Sequence, residues 1–138
     1  MDIQRVDHYS IRTDDLERSR HFYTDVIGLK EGPRPPFDFP GYWLYAGEYP
    51  IVHLMGYNAE RRGTLDAHVG ERKPATGGGT GALDHVALAG TDKAALIGRC
   101  RKHEVAYRER AVPQSNLTQV FLQDPDGLTI EINYRSPS

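Results

Sequence analysis

The sequence has little of what marks several large classes of protein. Its single cysteine, Cys100, excludes an internal disulfide bond and a cysteine-rich metal site. No apolar run approaches the ~20 residues that a membrane-spanning helix needs. The 17 basic and 19 acidic residues leave a formal charge of −2, which gives no sign of a nucleic-acid or membrane partner. Residues 1–5 lack the basic-then-apolar layout of a signal peptide, so we expect a cytoplasmic protein.

What the chain does have is an internal repeat. Residues 6–11 (VDHYSI) and 83–88 (LDHVAL) are similar strand-like segments, and each is followed by a helix signal. Two strand pairs come later in the two halves, and the second of them is joined by an Asp-Pro-Asp-Gly turn at 124–127. The predicted pairs are 41–45 with 50–55 and 118–122 with 128–132. The expected helix N-caps are Asp14 or Asp15 in the first half and Thr91 or Asp92 in the second.

The spacing of four side chains supports a duplicated unit. His8 and His85 are 77 positions apart, and His53 and Glu131 are 78 positions apart. We therefore predict a single α+β domain over residues 1–138 that consists of two βαβββ modules. The predicted parts are module one at 1–57, a polar connection at 58–81 and module two at 82–138.

Strand alternation assigns these four side chains to one face of the sheet. Val52 and Leu54 point away from His53, and the same alternation holds around the other three residues. If the helices cover the apolar face, the opposite face is concave and carries three imidazoles and a carboxylate. Such nitrogen and oxygen ligands suit divalent Fe, Ni, Zn, Mn or Co. The predicted metal ligands are His8, His53, His85 and Glu131, with His53 alternatively a proton-transfer group.

The most distinctive motifs are residues 6–8, 15–29, 83–86 and 121–131. On these motifs the sequence resembles the vicinal oxygen chelate superfamily, which includes glyoxalase I, extradiol dioxygenases and bleomycin-binding proteins. The resemblance implies paired βαβββ modules that form a cupped mixed sheet with helices on its outer face. It also implies one divalent metal per site, a small-molecule substrate and a homodimer, often with the site shared between subunits. The four predicted ligands fall at the family's metal-binding positions.

The sequence departs from the large subgroups of this superfamily. Glyoxalase-like members usually carry Glu at the position of His53, and extradiol dioxygenases usually carry Tyr at that of Phe121. Bleomycin-binding members typically lack the metal ligands. We therefore expect a metal-dependent lyase or isomerase of the glyoxalase type, with Glu131 and His53 as catalytic residues. The alternatives are an Fe(II) extradiol-type dioxygenase and a non-enzymatic binding or resistance protein.

Candidate substrate contacts are aromatic or cationic. The proline-rich loop 32–40 carries an arginine and two phenylalanines, and it either lines the mouth of the cup or packs its own aromatics at the surface. In the connection, Arg61, Arg62, Arg72 and Lys73 are more typical of a solvated cluster than of an anion site, and His68 is a weaker lid candidate. The predicted substrate contacts are Arg34, Phe37, Phe39, Trp43 and Phe121.

Overall fold

The computed structural model describes residues 2–57 and 80–137. It consists of two compact units, the first being Met1–Thr24 with Gly28–Lys73 and the second Asp25–Ile27 with Pro74–Ser138. Most of the predicted connection, including its histidine and its four basic residues, lies outside the described residues. Within the described ranges, no helix is long and apolar enough to cross a membrane.

The first unit has the order of a βαβββ module. Its sheet is β1-β4-β3-β2, in which β1 pairs with β4 in parallel and the remaining neighbours are antiparallel. A helix follows β1, and a π-helical segment continues that helix. The elements are β1 (Tyr9–Arg12), α1 (Leu16–His21), the π-helical α2 (Phe22–Ile27), β2 (Lys30–Gly32), β3 (Gly41–Ala46) and β4 (Tyr49–Met55).

The second unit repeats this topology. Its sheet order is β5-β8-β7-β6, again with one parallel pair, β5 with β8, and otherwise antiparallel neighbours. The predicted α+β fold of two βαβββ modules is confirmed, as two four-stranded mixed sheets. The elements are β5 (His85–Ala89), α3 (Lys93–Lys102), β6 (Arg108–Ala111), β7 (Leu117–Gln123) and β8 (Thr129–Arg135).

Local signals explain where the helices begin and end. Asp15 and Asp92 are the N-caps, because each side chain accepts a hydrogen bond from a backbone N–H three residues later. Gly28 closes α2 with a φ of 96°, a left-handed conformation that glycine adopts without steric cost. The π-helical form of α2 was not predicted. There the N–H of Gly28 bonds to the carbonyl of Tyr23, five residues back.

The strands bury their apolar side chains on one face in each unit. Leu44, Val52 and Leu54 are at most 1% exposed, and Val120 and Ile130 are fully buried. In the second unit Leu96 and Cys100 of α3 are also buried. Each helix therefore contributes to the core of its unit, and the polar face of each sheet is left for the candidate site.

Candidate functional site

Both units position their candidate site residues by the same strand pairing. Ser10 of β1 pairs with His53 of β4, and Ala87 of β5 pairs with Glu131 of β8. Ser10 and Ala87 each lie two positions after a histidine. Because alternate strand residues share a face, the histidine that begins β5 lies on the same face as Glu131, and the histidine directly before β1 stacks its ring on that of His53. The two histidines are His8 and His85.

An aspartate directly before each histidine holds its ring. Asp7 Oδ2 lies 2.8 Å from His8 Nδ1, and Asp84 Oδ2 lies 2.8 Å from His85 Nδ1. A carboxylate only accepts, so Nδ1 carries a proton, and Nε2 presents its lone pair when the ring is neutral. Metal-binding histidines are commonly supported by a carboxylate in this way. Neither aspartate was predicted as a site residue, although the Asp-His dipeptide in both repeats is a signal that identifies them.

In the second unit, His85 and Glu131 face each other. His85 Nε2 lies 3.5 Å from Glu131 Oε1, and the pKa of His85 is raised, first by its bond to Asp84 and also by the Glu131 charge. Glu131 is only 8% exposed, and its Oε2 accepts a hydrogen bond of 2.9 Å from the Asn133 amide. Gln119 in turn donates to Asn133 over 3.2 Å. This network fixes one carboxylate oxygen of Glu131 towards the imidazole.

In the first unit, His53 lies between two other rings. Its ring centroid is 3.7 Å from that of His8 and 4.1 Å from that of Trp43, with interplanar angles of 14° and 9°. His53 Nε2 lies 3.0 Å from the carbonyl oxygen of Pro50. Since a carbonyl only accepts, Nε2 carries the proton and Nδ1 presents the lone pair. The pKa of His53 is lowered, first by burial and then by the neighbouring His8, which favours its neutral form.

A cleft of about 370 Å³ opens beside this column of rings. The Phe37 and Phe39 rings are stacked, with centroids 5.1 Å apart and planes 6° apart. The Arg34 guanidinium carbon lies 5.1 Å from each of these two centroids, and Arg34 also donates to the Phe39 carbonyl over 2.8 Å. The loop therefore brings its aromatic and cationic side chains to the same cleft. The residues that line it are Asp7, His8, Ser10, Arg34, Phe37, Phe39, Trp43, Pro50, His53, Leu54 and Met55.

Phe121, the fifth predicted substrate contact, lines a different cleft. It pairs with Glu131 between β7 and β8, and Arg108 of β6 lies 4.5 Å from its ring centroid. Phe121 and Arg108, together with Leu122 and Thr129, border a cleft of about 440 Å³ in the second unit. The predicted substrate contacts are thus divided, with four in the first unit and one in the second.

The four predicted metal ligands occur as two pairs, one in each unit. Across residues 2–57 and 80–137, the structure contains no group of three or more His, Cys, Asp or Glu side chains arranged to hold a metal ion. The chemistry of both pairs nevertheless fits a divalent metal, because imidazole nitrogen and carboxylate oxygen are its common ligands. The carboxylates of Asp7 and Asp84, which hold Nδ1 of His8 and His85, are also typical of histidines that bind a metal. The four-ligand site stays a prediction.

Comparisons with known proteins agree with this architecture. A protein of Synechocystis sp. named "Probable lactoylglutathione lyase" is 30% identical over 130 residues, which cover 91% of each chain. The glyoxylase/bleomycin resistance protein/dioxygenase domain from Frankia sp. EAN1pec has a TM-score of 0.69 at 19% identity, covering 99% of this chain and 95% of its own. TnmS3, an antibiotic binding protein from Streptomyces sp. CB03234, has a TM-score of 0.65 at 21% identity, covering 99% of both chains.

The family itself follows from a match over nearly the whole sequence. Residues 5–132 match the Glyoxalase/Bleomycin resistance protein/Dioxygenase superfamily. This range covers most of both modules and contains all of the predicted site residues. The resemblance found in the sequence motifs is therefore confirmed, and the chain belongs to the Glyoxalase/Bleomycin resistance protein/Dioxygenase superfamily.

Proposed function

We propose that the chain is a divalent-metal-dependent enzyme of the glyoxalase type. It would act as a lyase or isomerase that moves a proton beside a carbonyl group of a small, oxygen-rich substrate. The observation that carries this proposal is the duplicated Asp-His pair, in which a carboxylate holds Nδ1 and Nε2 presents its lone pair. The 30% identity to a relative named as a lactoylglutathione lyase supports the reaction class.

His8, His85 and Glu131 would hold the metal, through two Nε2 atoms and one carboxylate oxygen. The metal would supply Lewis acidity that stabilises negative charge on a substrate oxygen. Support comes from the second unit, where the two donor atoms are 3.5 Å apart. Two ligands at bond lengths of ~2.0–2.2 Å are about 3–4 Å apart, so this separation suits a shared ion. Fe, Ni, Zn, Mn and Co are all compatible with these donors.

His53 is the residue that we assign to proton transfer, with a role as fourth ligand as the alternative. Its Nε2 is engaged by the Pro50 carbonyl, so a proton taken from the substrate would be accepted at Nδ1. The lowered pKa keeps the ring neutral and therefore able to accept that proton. Glu131 would act chiefly as a ligand, because Asn133 restrains its second oxygen.

We also propose that the protein is a homodimer, as the resemblance implies. Val6 and Leu83, which directly precede the two Asp-His pairs, are 82% and 51% exposed. Burying these side chains against a second copy would contribute favourably to association, because burial of apolar surface is favourable. Light scattering at micromolar protein concentration tests this, and a mass of one chain at every concentration would contradict it.

The experiment for the proposed function is a metal analysis of the untagged protein. Wild type, His85→Ala and a control, His21→Ala, would be purified under nitrogen and their metals measured by mass spectrometry. We expect near-stoichiometric metal in wild type and in the control, and its loss in His85→Ala. The assay that follows is isomerisation of thiol adducts of dicarbonyls. Absence of metal from wild type, even after reconstitution, would contradict the proposal.

A binding protein without chemistry is the second candidate. The observation that favours it is the aromatic lining of the cleft in the first unit, which suits ligand capture. The antibiotic binding protein TnmS3 adopts the same fold. Undiminished ligand affinity after His8→Ala, together with absence of turnover in wild type, would favour this candidate. An iron-dependent dioxygenase is the third, which bound iron and oxygen uptake with catechols would reveal.

A further inference from the structure

Arg34 is a half-buried cation in the cleft of the first unit. Its guanidinium lies beside two aromatic rings, and one Nη2 bond of 2.8 Å to the Phe39 carbonyl holds it. A Cβ on Gly41 would lie 2.3 Å from the Leu54 carbonyl oxygen and 3.0 Å from that same nitrogen, so glycine at this position leaves room for both groups. No carboxylate among the described residues forms an ion pair with Arg34. Its positive charge is therefore available to a ligand.

Stacked rings form part of the wall of the cleft. Trp43 and His53 are stacked within 9° of parallel, and Phe37 and Phe39 are stacked within 6°. Trp43 and Phe37 are only half-buried, so each leaves ring surface at the cleft on which a planar ligand can stack with its centroid offset. A volume of about 370 Å³ lies at the lower end of the range for small-molecule pockets, roughly 300–1,000 Å³. The space suits a single substituted ring.

Asp7, the other charged side chain that lines the cleft, repels an anion only weakly. Asp7 is bonded to His8 over 2.8 Å, and its side chain is 79% exposed to solvent. Its negative charge is thus offset by a donor and screened by water. Arg34 is less exposed, and a hydrogen bond from a charged donor strengthens where water is partly excluded. The balance of charge in the cleft favours an anionic ligand.

We propose that this cleft binds a planar aromatic group that carries a negatively charged oxygen, such as an aromatic carboxylate or phenolate. Arg34 recognises the charged oxygen, and the paired rings select the planar group. This inference rests on the proposed function in one respect, that the cleft is taken as the substrate cleft. It narrows the substrate from a small oxygen-rich molecule to an aromatic anion.

The test compares three probes by isothermal titration calorimetry. The probes are 4-nitrobenzoate, its neutral analogue 4-nitrobenzamide, and cyclohexanecarboxylate, an anion that is not planar. Trp43 is the only tryptophan of the chain, so quenching of its fluorescence reports whether a probe enters this cleft. We expect wild type to bind 4-nitrobenzoate at least about ten-fold more tightly than either of the others.

The diagnostic variant is Arg34→Gln. Glutamine keeps an N–H donor for the Phe39 carbonyl but removes the positive charge. We expect the variant to bind 4-nitrobenzoate about ten-fold more weakly and 4-nitrobenzamide within two-fold of wild type. An equal change for both probes would show that Arg34 only shapes the loop, and would overturn the inference. A test that needs no variant is added salt, which should weaken binding of the acid by wild type and not of the amide.

Metal content, measured on the same samples, separates this inference from the proposed function. Bound metal without a preference for the aromatic acid would overturn the inference and leave the proposed function standing. A preference for the acid in a protein that never holds metal would support the inference and contradict the proposed function. Equal affinity for 4-nitrobenzoate and cyclohexanecarboxylate would overturn the requirement for a planar group.

Discussion

The two modules share a topology, but they differ in the side chains that cross their sheets. Equivalent strand pairings define a row of three residues in each unit. The row in the first unit is aromatic and ends in glycine, whereas the row in the second unit contains a carboxylate, a ring and a guanidinium. The rows are His53, Trp43 and Gly32 in the first unit and Glu131, Phe121 and Arg108 in the second.

One backbone pattern therefore supports two kinds of surface. A Cβ on Gly32 would lie 2.7 Å from the Tyr45 ring, so the position that carries Arg108 in the second unit has no room for a side chain in the first. Tyr45 is fixed there by a hydrogen bond of 2.6 Å to the Pro33 carbonyl. The row in the first module is thus suited to stacking, and the row in the second module is suited to holding charge.

Ile130 lies in the core of the second unit, and truncating it should have the largest effect on stability. Ile130→Ala should reduce the free energy of unfolding by ~2–5 kcal/mol, because it leaves a cavity at a fully buried site. Val52, equally buried in the first unit, loses fewer atoms, so Val52→Ala should cost less. Urea denaturation followed by circular dichroism measures both. A larger loss for Val52→Ala would show that the two cores do not tolerate cavities alike.

The next largest effect is the loss of bound metal and turnover in Glu131→Gln. The variant keeps the shape of the side chain and an acceptor for Asn133, but it removes the charge facing His85. We expect bound metal to fall to background and turnover to fall at least about 100-fold. Glu109→Gln, at a surface pair with Lys93, is the matched control and should leave metal content unchanged. Full metal retention in Glu131→Gln would remove Glu131 from the ligand set.

Much of the fold could be predicted from the sequence, because the apolar alternation in β4, β7 and β8 is strong. β2 and β6 were not located. All four residues of β6 are exposed, so this strand has no buried face to produce a pattern. The second turn was predicted from its Asp-Pro-Asp-Gly sequence, and Asp124 accepts two backbone N–H bonds there, the type of local bond that favours Asp in turns.

The candidate site was less predictable than the fold, because it depends on pairing across strands. The parity of a single strand indicates that His53 faces away from the core, but the stack on Trp43 follows from the register of β3 against β4. Likewise, Phe121 was grouped with the loop aromatics, yet its strand belongs to the other unit. Residue types identified the candidates, and register determined which of them lie together.

A moderate effect is expected from the aspartates behind the histidines. Asp7→Asn and Asp84→Asn should each weaken metal affinity by about 10–100-fold, because both bonds are 2.8 Å and both removed groups are carboxylates. Competition with a chelating dye measures the affinity. If only one variant weakens binding, the histidine in the other unit is not a ligand, and the two modules do not contribute equally to the site.

The smallest effect concerns the helix starts. Asp92→Ala should reduce the free energy of unfolding by about 1 kcal/mol, because it removes the bond of 3.0 Å to the Ala95 N–H. Asp15→Ala removes a similar bond of 3.1 Å to the Arg18 N–H. The first helix has a further anchor, since Thr13 Oγ1 accepts the N–H of residue 15 over 3.1 Å.

This anchor is a bond to the backbone of residue 15, so Asp15→Ala retains it. The loss should therefore be smaller for Asp15→Ala than for Asp92→Ala, and Thr13→Val combined with Asp15→Ala should remove this difference. Urea titrations of Asp92→Ala, Asp15→Ala and the double variant measure the three losses in the free energy of unfolding. If Asp15→Ala costs as much as Asp92→Ala, the threonine does not support the first helix, and the two modules begin their helices by the same means.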